Sequence, residues 1–224
     1  KKPSSFTGRI DGFEDSADFV LYAKDSPIGV ISTSLDKRGN YRRVMTLSMA
    51  GQNVEMTMTA TPGKTGRWET IELKNPALGD IRVARDDSCA RYSVKNEPVV
   101  AKLPADYVLY DDYGVLFESI MIGRYDMKAR GRQTFTRFRI PETVPGNIIT
   151  VDMEYSGEEK VSSNGRTLTL RKFEYSALGQ RALYRVGPDS RIYMSEDPAS
   201  QMYMVRKGYE DLVRLRETGT SPSP

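Results

Sequence analysis

The sequence predicts a mainly β protein: a large curved antiparallel sheet, or an incomplete barrel of many short strands, with one central amphipathic helix at about residues 111–123. Three observations lead to this fold class. Apolar and polar residues alternate with period two in many segments, as in strands that bury one face. Turns rich in Gly, Pro, Asn and Asp separate these segments. Helical spacing of apolar residues is clear in the central segment alone.

The first half of the chain has the pattern of a strand meander. Residues 18–23 and 28–35 alternate around a Pro-containing turn and predict a hairpin. In residues 41–49 and 54–59 the alternation places methionines on one face of each strand. The predicted strands of this half are residues 18–23, 28–35, 41–49, 54–59, 67–73, 80–85 and 90–94.

The central helix is predicted from apolar residues that recur at helical spacing. These residues are Tyr113, Leu116, Phe117, Ile120 and Met121. Asp111 or Asp112 is placed to cap the start, and Gly123 lies where a helix would end.

Alternation resumes after the helix and continues nearly to the end of the chain. A further short strand is predicted between Gly157 and residues 162–165, and a short helix at residues 208–216. The other strands predicted in this half are residues 132–140, 147–155, 166–175, 180–186, 191–194 and 201–206. We expect one β domain at residues 18–212, an irregular arm at residues 1–17 and a linker-like tail at residues 213–224.

The composition excludes several classes of activity. The chain of 224 residues has no histidine and one cysteine, Cys89, so triads that depend on histidine and the usual catalytic zinc sites are absent. Adjacent acidic residues such as Asp86 and Asp87 would point to opposite faces of a strand, unlike a catalytic carboxylate pair. We therefore expect no catalytic residue, no metal site, no cofactor and no enzyme activity. An enzyme that uses carboxylates, tyrosine or lysine without histidine is the alternative.

The net charge and the hydropathy of the chain bear on its binding partners and on its location in the cell. The net charge of +3 gives little support for nucleic-acid binding, which we do not expect. No stretch approaches the roughly 20 apolar residues that cross a bilayer. The chain begins at Lys1 without a methionine, so we expect either that a secretory signal has been removed or that the sequence has been trimmed. The predicted location is periplasmic or secreted.

Methionine-rich strand faces provide the first candidate ligand site. Methionine adapts to apolar ligands of varied shape, and it also fills ordinary cores, so both interpretations stay open. A ligand site would form between the curved sheet and the helix. Its predicted residues are Met45, Met49, Met56, Met58, Tyr113, Phe117 and Met121.

A second candidate site is a basic segment interleaved with aromatic residues, which could bind an anion. Its predicted residues are Arg130, Arg132, Arg137 and Arg139. In a strand, Arg137 and Arg139 share one face and Phe138 takes the other, so the alternative is a solvated face above a core.

Two family resemblances suggest functions. The long meander interrupted by one helix resembles the periplasmic half-barrel proteins that include lipoprotein carriers, which implies an apolar concave face. Phe19, Ile28-Gly29, residues 110–113 and residues 206–210 resemble the β-rich region preceding the catalytic domain in some secreted bacterial α/β hydrolases. The hydrolase nucleophile elbow and histidine are missing here, so that resemblance implies no catalytic residue.

These observations predict a non-catalytic, extracytoplasmic binding module that holds a lipid or another apolar molecule on its concave face. A structural or interaction domain of a secreted α/β hydrolase, with a protein partner or a missing catalytic domain, is the alternative. The first prediction requires a cavity of a few hundred Å³.

Overall fold

The computed structural model confirms the predicted fold class. It describes residues 13–49, 51–64, 67–77, 79–94, 96–140 and 147–216, and within these fifteen strands form one curved sheet that does not close. The strands are β1 (Asp15–Ala23), β2 (Ser26–Leu35), β3 (Tyr41–Met49), β4 (Gln52–Pro62), β5 (Trp68–Asn75), β6 (Gly79–Asp86), β7 (Cys89–Val94), β8 (Glu97–Lys102), β9 (Val108–Tyr110), β10 (Gln133–Arg139), β11 (Asn147–Ser163), β12 (Arg166–Ala177), β13 (Gln180–Val186), β14 (Ile192–Asp197) and β15 (Met202–Arg206).

The first and last strands pair with each other and join two meanders. β1 is antiparallel to β15, with Val20 opposite Val205. One meander runs outward from β1 to β8, and the other from β15 back to β9. Both edges of the sheet therefore come from the middle of the chain. Neighbouring strands are antiparallel except β9 and β10, which are parallel.

The longest hairpin differs from its prediction. β11 is one strand of 17 residues, whereas the sequence predicted two strands separated near Gly157. Gly157 instead marks a bulge, where the register with β12 shifts between Tyr155 and Gly157. A bulge inserts one extra residue into a strand, which bends the strand without ending it. At the far end, Asn164 and Gly165 take φ angles of 49° and 71°, as a two-residue hairpin turn requires.

The central helix is shorter and more buried than predicted. It is α1 (Leu116–Gly123), and no side chain caps its start. Every residue from Leu116 to Ile122 is buried, including the polar residues Glu118 and Ser119. The reason is that the curved sheet surrounds the helix. Asp111 is fully buried and accepts hydrogen bonds from other elements instead of capping the helix.

Two apolar clusters cover opposite faces of the sheet. The main core contains α1 and the inward faces of most strands. A smaller cluster around Leu212 lies under a 3₁₀ helix, Glu210–Leu215, in the segment where a short helix was predicted. Neither of the described helices has the length and apolar character needed to cross a bilayer.

The structure covers only part of the predicted terminal segments. β1 begins at Asp15, inside the arm predicted for residues 1–17, and the 3₁₀ helix extends to Leu215. Residues 1–12 and 217–224 lie outside the described residues. The domain boundaries therefore stay predictions.

Candidate functional site

A cleft lined by five tyrosines opens between the last strands and the segment that leads into the helix. Its volume is about 270 Å³. Strands from both meanders build it, because Leu21 lies on β1, Tyr110 on β9 and Tyr184 on β13. We call it the tyrosine cleft; its lining residues are Leu21, Tyr110, Asp112, Tyr113, Arg139, Tyr175, Gln180, Arg181, Ala182, Tyr184, Ser195, Glu196, Asp197, Ser200, Met202, Tyr203 and Met204.

Its aromatic wall is formed by tyrosines that pack against one another. The Tyr175 ring packs edge to face against the Tyr184 ring, with 6.1 Å between the ring centres. It is tilted relative to the Tyr110 ring, whose centre lies 6.4 Å away. Burial raises the pKa of all three phenols above the ordinary value of 10.0. They are therefore neutral at physiological pH and present hydroxyl groups.

Both arginines of the cleft are held in ion pairs. Arg139 Nε lies 2.9 Å from Asp112 Oδ1, and its Nη2 lies 2.9 Å from Asp112 Oδ2. This hydrogen bonding raises the pKa of Arg139 above its ordinary value. Arg181 donates to Glu174 at 2.8 Å and holds the pKa of that carboxyl below its usual range. The mouth of the cleft thus has fixed polar groups around an apolar interior.

A buried ion pair lies behind the aromatic wall. Arg137 Nη1 lies 2.8 Å from Glu118 Oε1 on α1, and neither side chain is more than 1% exposed. Arg137 also donates to the Leu109 carbonyl at 2.6 Å, and its guanidinium lies 4.5 Å from the centre of the Tyr110 ring. Burial raises the pKa of Glu118, and Arg137 offsets this only in part. The pair connects the helix to β9 and β10.

A second buried polar cluster fixes the segment that leads into the helix. Asp111 accepts hydrogen bonds from Tyr41 at 2.6 Å and Arg43 at 2.9 Å, and all three residues are buried. Burial raises the pKa of Tyr41 well above its ordinary value, with Asp111 the next cause. Gly114 packs so closely here that a Cβ would lie 2.5 Å from both the Asp111 carboxylate and the Tyr41 hydroxyl.

The predicted methionine site maps mostly to the core. Met45, Met58 and Met121 are 0% exposed, and none of them lines the tyrosine cleft. Met56 and Phe117 are also buried in the main core. The side chain of Met49 lies outside the described residues. Tyr113 is the predicted residue that lines the cleft.

The four candidate arginines have different environments. Arg137 is fully buried, so the alternative of a solvated face is wrong at that position. β10 is covered on both faces here, because Phe138 is also 0% exposed and stacks with Trp68 at 6.0 Å. Arg139 lines the cleft. Arg130 and Arg132 are exposed, and Arg130 lies 5.7 Å from the centre of the Tyr155 ring.

Sequence reasoning missed most of the cleft. Tyr175, Tyr184 and Tyr203 lie on separate strands, and their sequence spacing does not indicate that they meet. The abundance of tyrosine, 13 residues in a polar chain, is the one signal that could have suggested an aromatic site.

A wider groove of about 730 Å³ lies at the opposite ends of β1 and β2 and is more polar. Three carboxylates and three guanidiniums line it: Glu14, Asp15, Asp36, Arg42, Arg191 and Arg206. Asp15 is buried and ion-paired with Arg206 and with Arg191. This balanced, charged lining suits an apolar ligand less well than the tyrosine cleft does.

Comparison with known proteins gives no family. No family model matches the chain, and no curated protein matches its sequence. Two solved structures resemble it at 10% identity. One is a DUF1089 family protein from Pseudomonas aeruginosa, with a TM-score of 0.36 over 80% of this chain and 89% of that one. The other is a candidate exported protein with a YmcC-like fold from Bacteroides fragilis. Its TM-score is 0.30 over 86% of this chain and 93% of that one. Likenesses this low carry no argument about function.

Proposed function

We propose that this chain is a non-catalytic, extracytoplasmic binding module that holds a lipid-like or other small apolar molecule in the tyrosine cleft. The observation that carries the proposal is the cleft itself, between the inward faces of the last strands and the segment that leads into the helix. Its volume of about 270 Å³ is slightly below the roughly 300–1,000 Å³ typical of drug-sized ligands. We therefore expect a ligand with a single apolar chain or ring.

The lining of the cleft supports a ligand that is apolar with a polar end. Leu21, Met202 and Met204 provide aliphatic surface beside the tyrosine rings. Arg139 and Asp112, joined by hydrogen bonds of 2.9 Å, lie in the same lining and provide fixed polar groups for the polar end of the ligand.

Native mass spectrometry tests the proposal directly. Protein purified gently from its host is measured intact, and then its organic extract is analysed. We expect a small co-purifying molecule that is released on denaturation. An apo mass that persists after incubation with a host lipid extract would contradict the proposal.

A variant that fills the cleft locates the site. Ala182 lines the cleft on β13, opposite Tyr175, so Ala182→Trp should place an indole inside it. We expect at least tenfold weaker binding of dodecanoate, used as a soluble probe, by isothermal titration calorimetry. Thr167→Trp is the matched control, because Thr167 is exposed at the far end of β12. Equal affinity in the two variants would place the ligand elsewhere.

The compartment needs a separate measurement. Fractionation of cells that express the full natural protein should place it outside the cytoplasm, and recovery in the cytoplasmic fraction would contradict this part of the proposal.

A further inference from the structure

The turn between β12 and β13 contains a leucine in an unusual backbone conformation. Ala177 pairs with Gln180, so Leu178 and Gly179 form a two-residue turn. Their φ angles are 52° and 78°. Turns with positive φ at both positions prefer Asn-Gly, because a bulky side chain is strained there. Leu178 is also 68% exposed, so little packing offsets the strain.

This turn lies at the rim of the tyrosine cleft. Gln180, Arg181 and Ala182, which follow the turn directly, all line the cleft. Ser200, in the turn between β14 and β15, lines the same mouth. Leu178 therefore projects into solvent beside the entrance through which a ligand would pass.

We infer that Leu178 inserts into a lipid bilayer surface and holds the mouth of the cleft against it. The inference rests on the proposed function, since it explains why an apolar tip lies at that entrance. A leucine that is both strained and exposed lowers stability, so a role outside the fold accounts for its presence.

A lipid surface fits the tip better than a protein partner does. Stable protein interfaces bury about 800 Å² on each partner around an apolar centre. Here Ser176, Gly179 and Gln180 surround the leucine, and all three are exposed. A bilayer, in contrast, accepts a single protruding side chain without a complementary shape. Residues 176–180 contain no acidic residue, so the turn itself carries no charge that an anionic headgroup would repel.

The decisive variant is Leu178→Asn, which should separate stability from membrane binding. Asparagine suits this turn, so the melting temperature should rise by about 2–4 °C. Flotation with vesicles of equal parts phosphatidylcholine and phosphatidylglycerol should fall about tenfold, because the inserted apolar group is lost. Val100→Asn is the matched control: Val100 is 57% exposed on β8, away from the cleft lining, and flotation should not change.

The outcomes distinguish this inference from the proposed function. Equal flotation of the wild type and Leu178→Asn, or no flotation of the wild type, would overturn the inference. Dodecanoate binding in vesicle-free solution should be the same in both proteins. If neither binds dodecanoate but flotation still depends on Leu178, the proposed ligand site fails and the membrane anchor stands.

Discussion

Removing Glu118 should leave a buried arginine without its carboxylate and destabilise the protein strongly. Arg137 and Glu118 are 0% and 1% exposed, and their charged atoms are 2.8 Å apart. Loss of one partner from a buried pair costs about 3–5 kcal/mol, because the other charge stays desolvated. Leucine has a similar size and suits a helix interior, so Glu118→Leu isolates the effect of charge. We expect its free energy of unfolding to fall by about 3–5 kcal/mol.

Chemical denaturation at neutral pH measures this loss of stability. Two further variants test whether the buried charge causes it. Glu72→Leu is the control, because Glu72 pairs with Arg82 at 3.9 Å with both side chains more than half exposed, where a pair contributes about 0–1 kcal/mol. The double variant Glu118→Leu with Arg137→Met should be more stable than Glu118→Leu alone, since no charge remains buried. A loss below about 1 kcal/mol in Glu118→Leu would refute the reasoning.

Two further predictions concern the buried Asp111–Tyr41 contact and the tyrosines of the aromatic wall. Gly114→Ala should lower the free energy of unfolding by about 1–3 kcal/mol, because its Cβ would meet the Asp111–Tyr41 hydrogen bond at 2.5 Å. Gly63→Ala, whose Cβ would meet only a movable Glu69 side chain at 3.2 Å, should have less effect in the same denaturation series, and equal losses would count against this account. Alkaline pH should unfold the protein, because burial raises the pKa of Tyr110, Tyr175 and Tyr184 above 10.0. In the unfolded chain these phenols ionise from about pH 10, whereas in the folded protein they stay protonated to higher pH. Their contribution to the free energy of unfolding is therefore complete below about pH 10 and is lost as the pH rises above it. Tyrosinate absorbance and far-UV circular dichroism followed together check this, and ionisation of all 13 tyrosines before any loss of structure would contradict it.

Local patterns predicted most strands because one buried face produces alternation. β4 shows this clearly: Met56, Met58 and Ala60 are buried while their neighbours are not. The same logic missed β8 and β9. β8 is an edge strand that is mostly exposed, and β9 has three residues, so neither has enough alternating positions to detect.

Alternation also fails where both faces of a strand are covered. In β13 the four residues from Leu183 to Val186 are all buried, and Arg185 among them is ion-paired with Glu159 and Glu196. Arg137 in β10 is a similar case. Burial of these arginines depends on carboxylates far away in the sequence, such as Glu118, and no local pattern shows that they will meet. The tyrosines of the cleft were not predicted for the same reason, because they lie on strands far apart in the sequence.

The pairing of the first and last strands determines whether a cleft exists at all. Leu21 on β1 and Met204 on β15 are cross-strand partners, and both line it. The opposite wall includes Tyr110, at the end of the edge strand β9, and Asp112, two residues later. A molecule bound here would contact both ends of the second meander and would bind the folded chain alone. By mass action, a ligand at 100 times its dissociation constant would add about 2.7 kcal/mol to stability. Binding of the proposed ligand would therefore be coupled to the pairing of β1 with β15, and a change in stability on addition of ligand would measure that coupling.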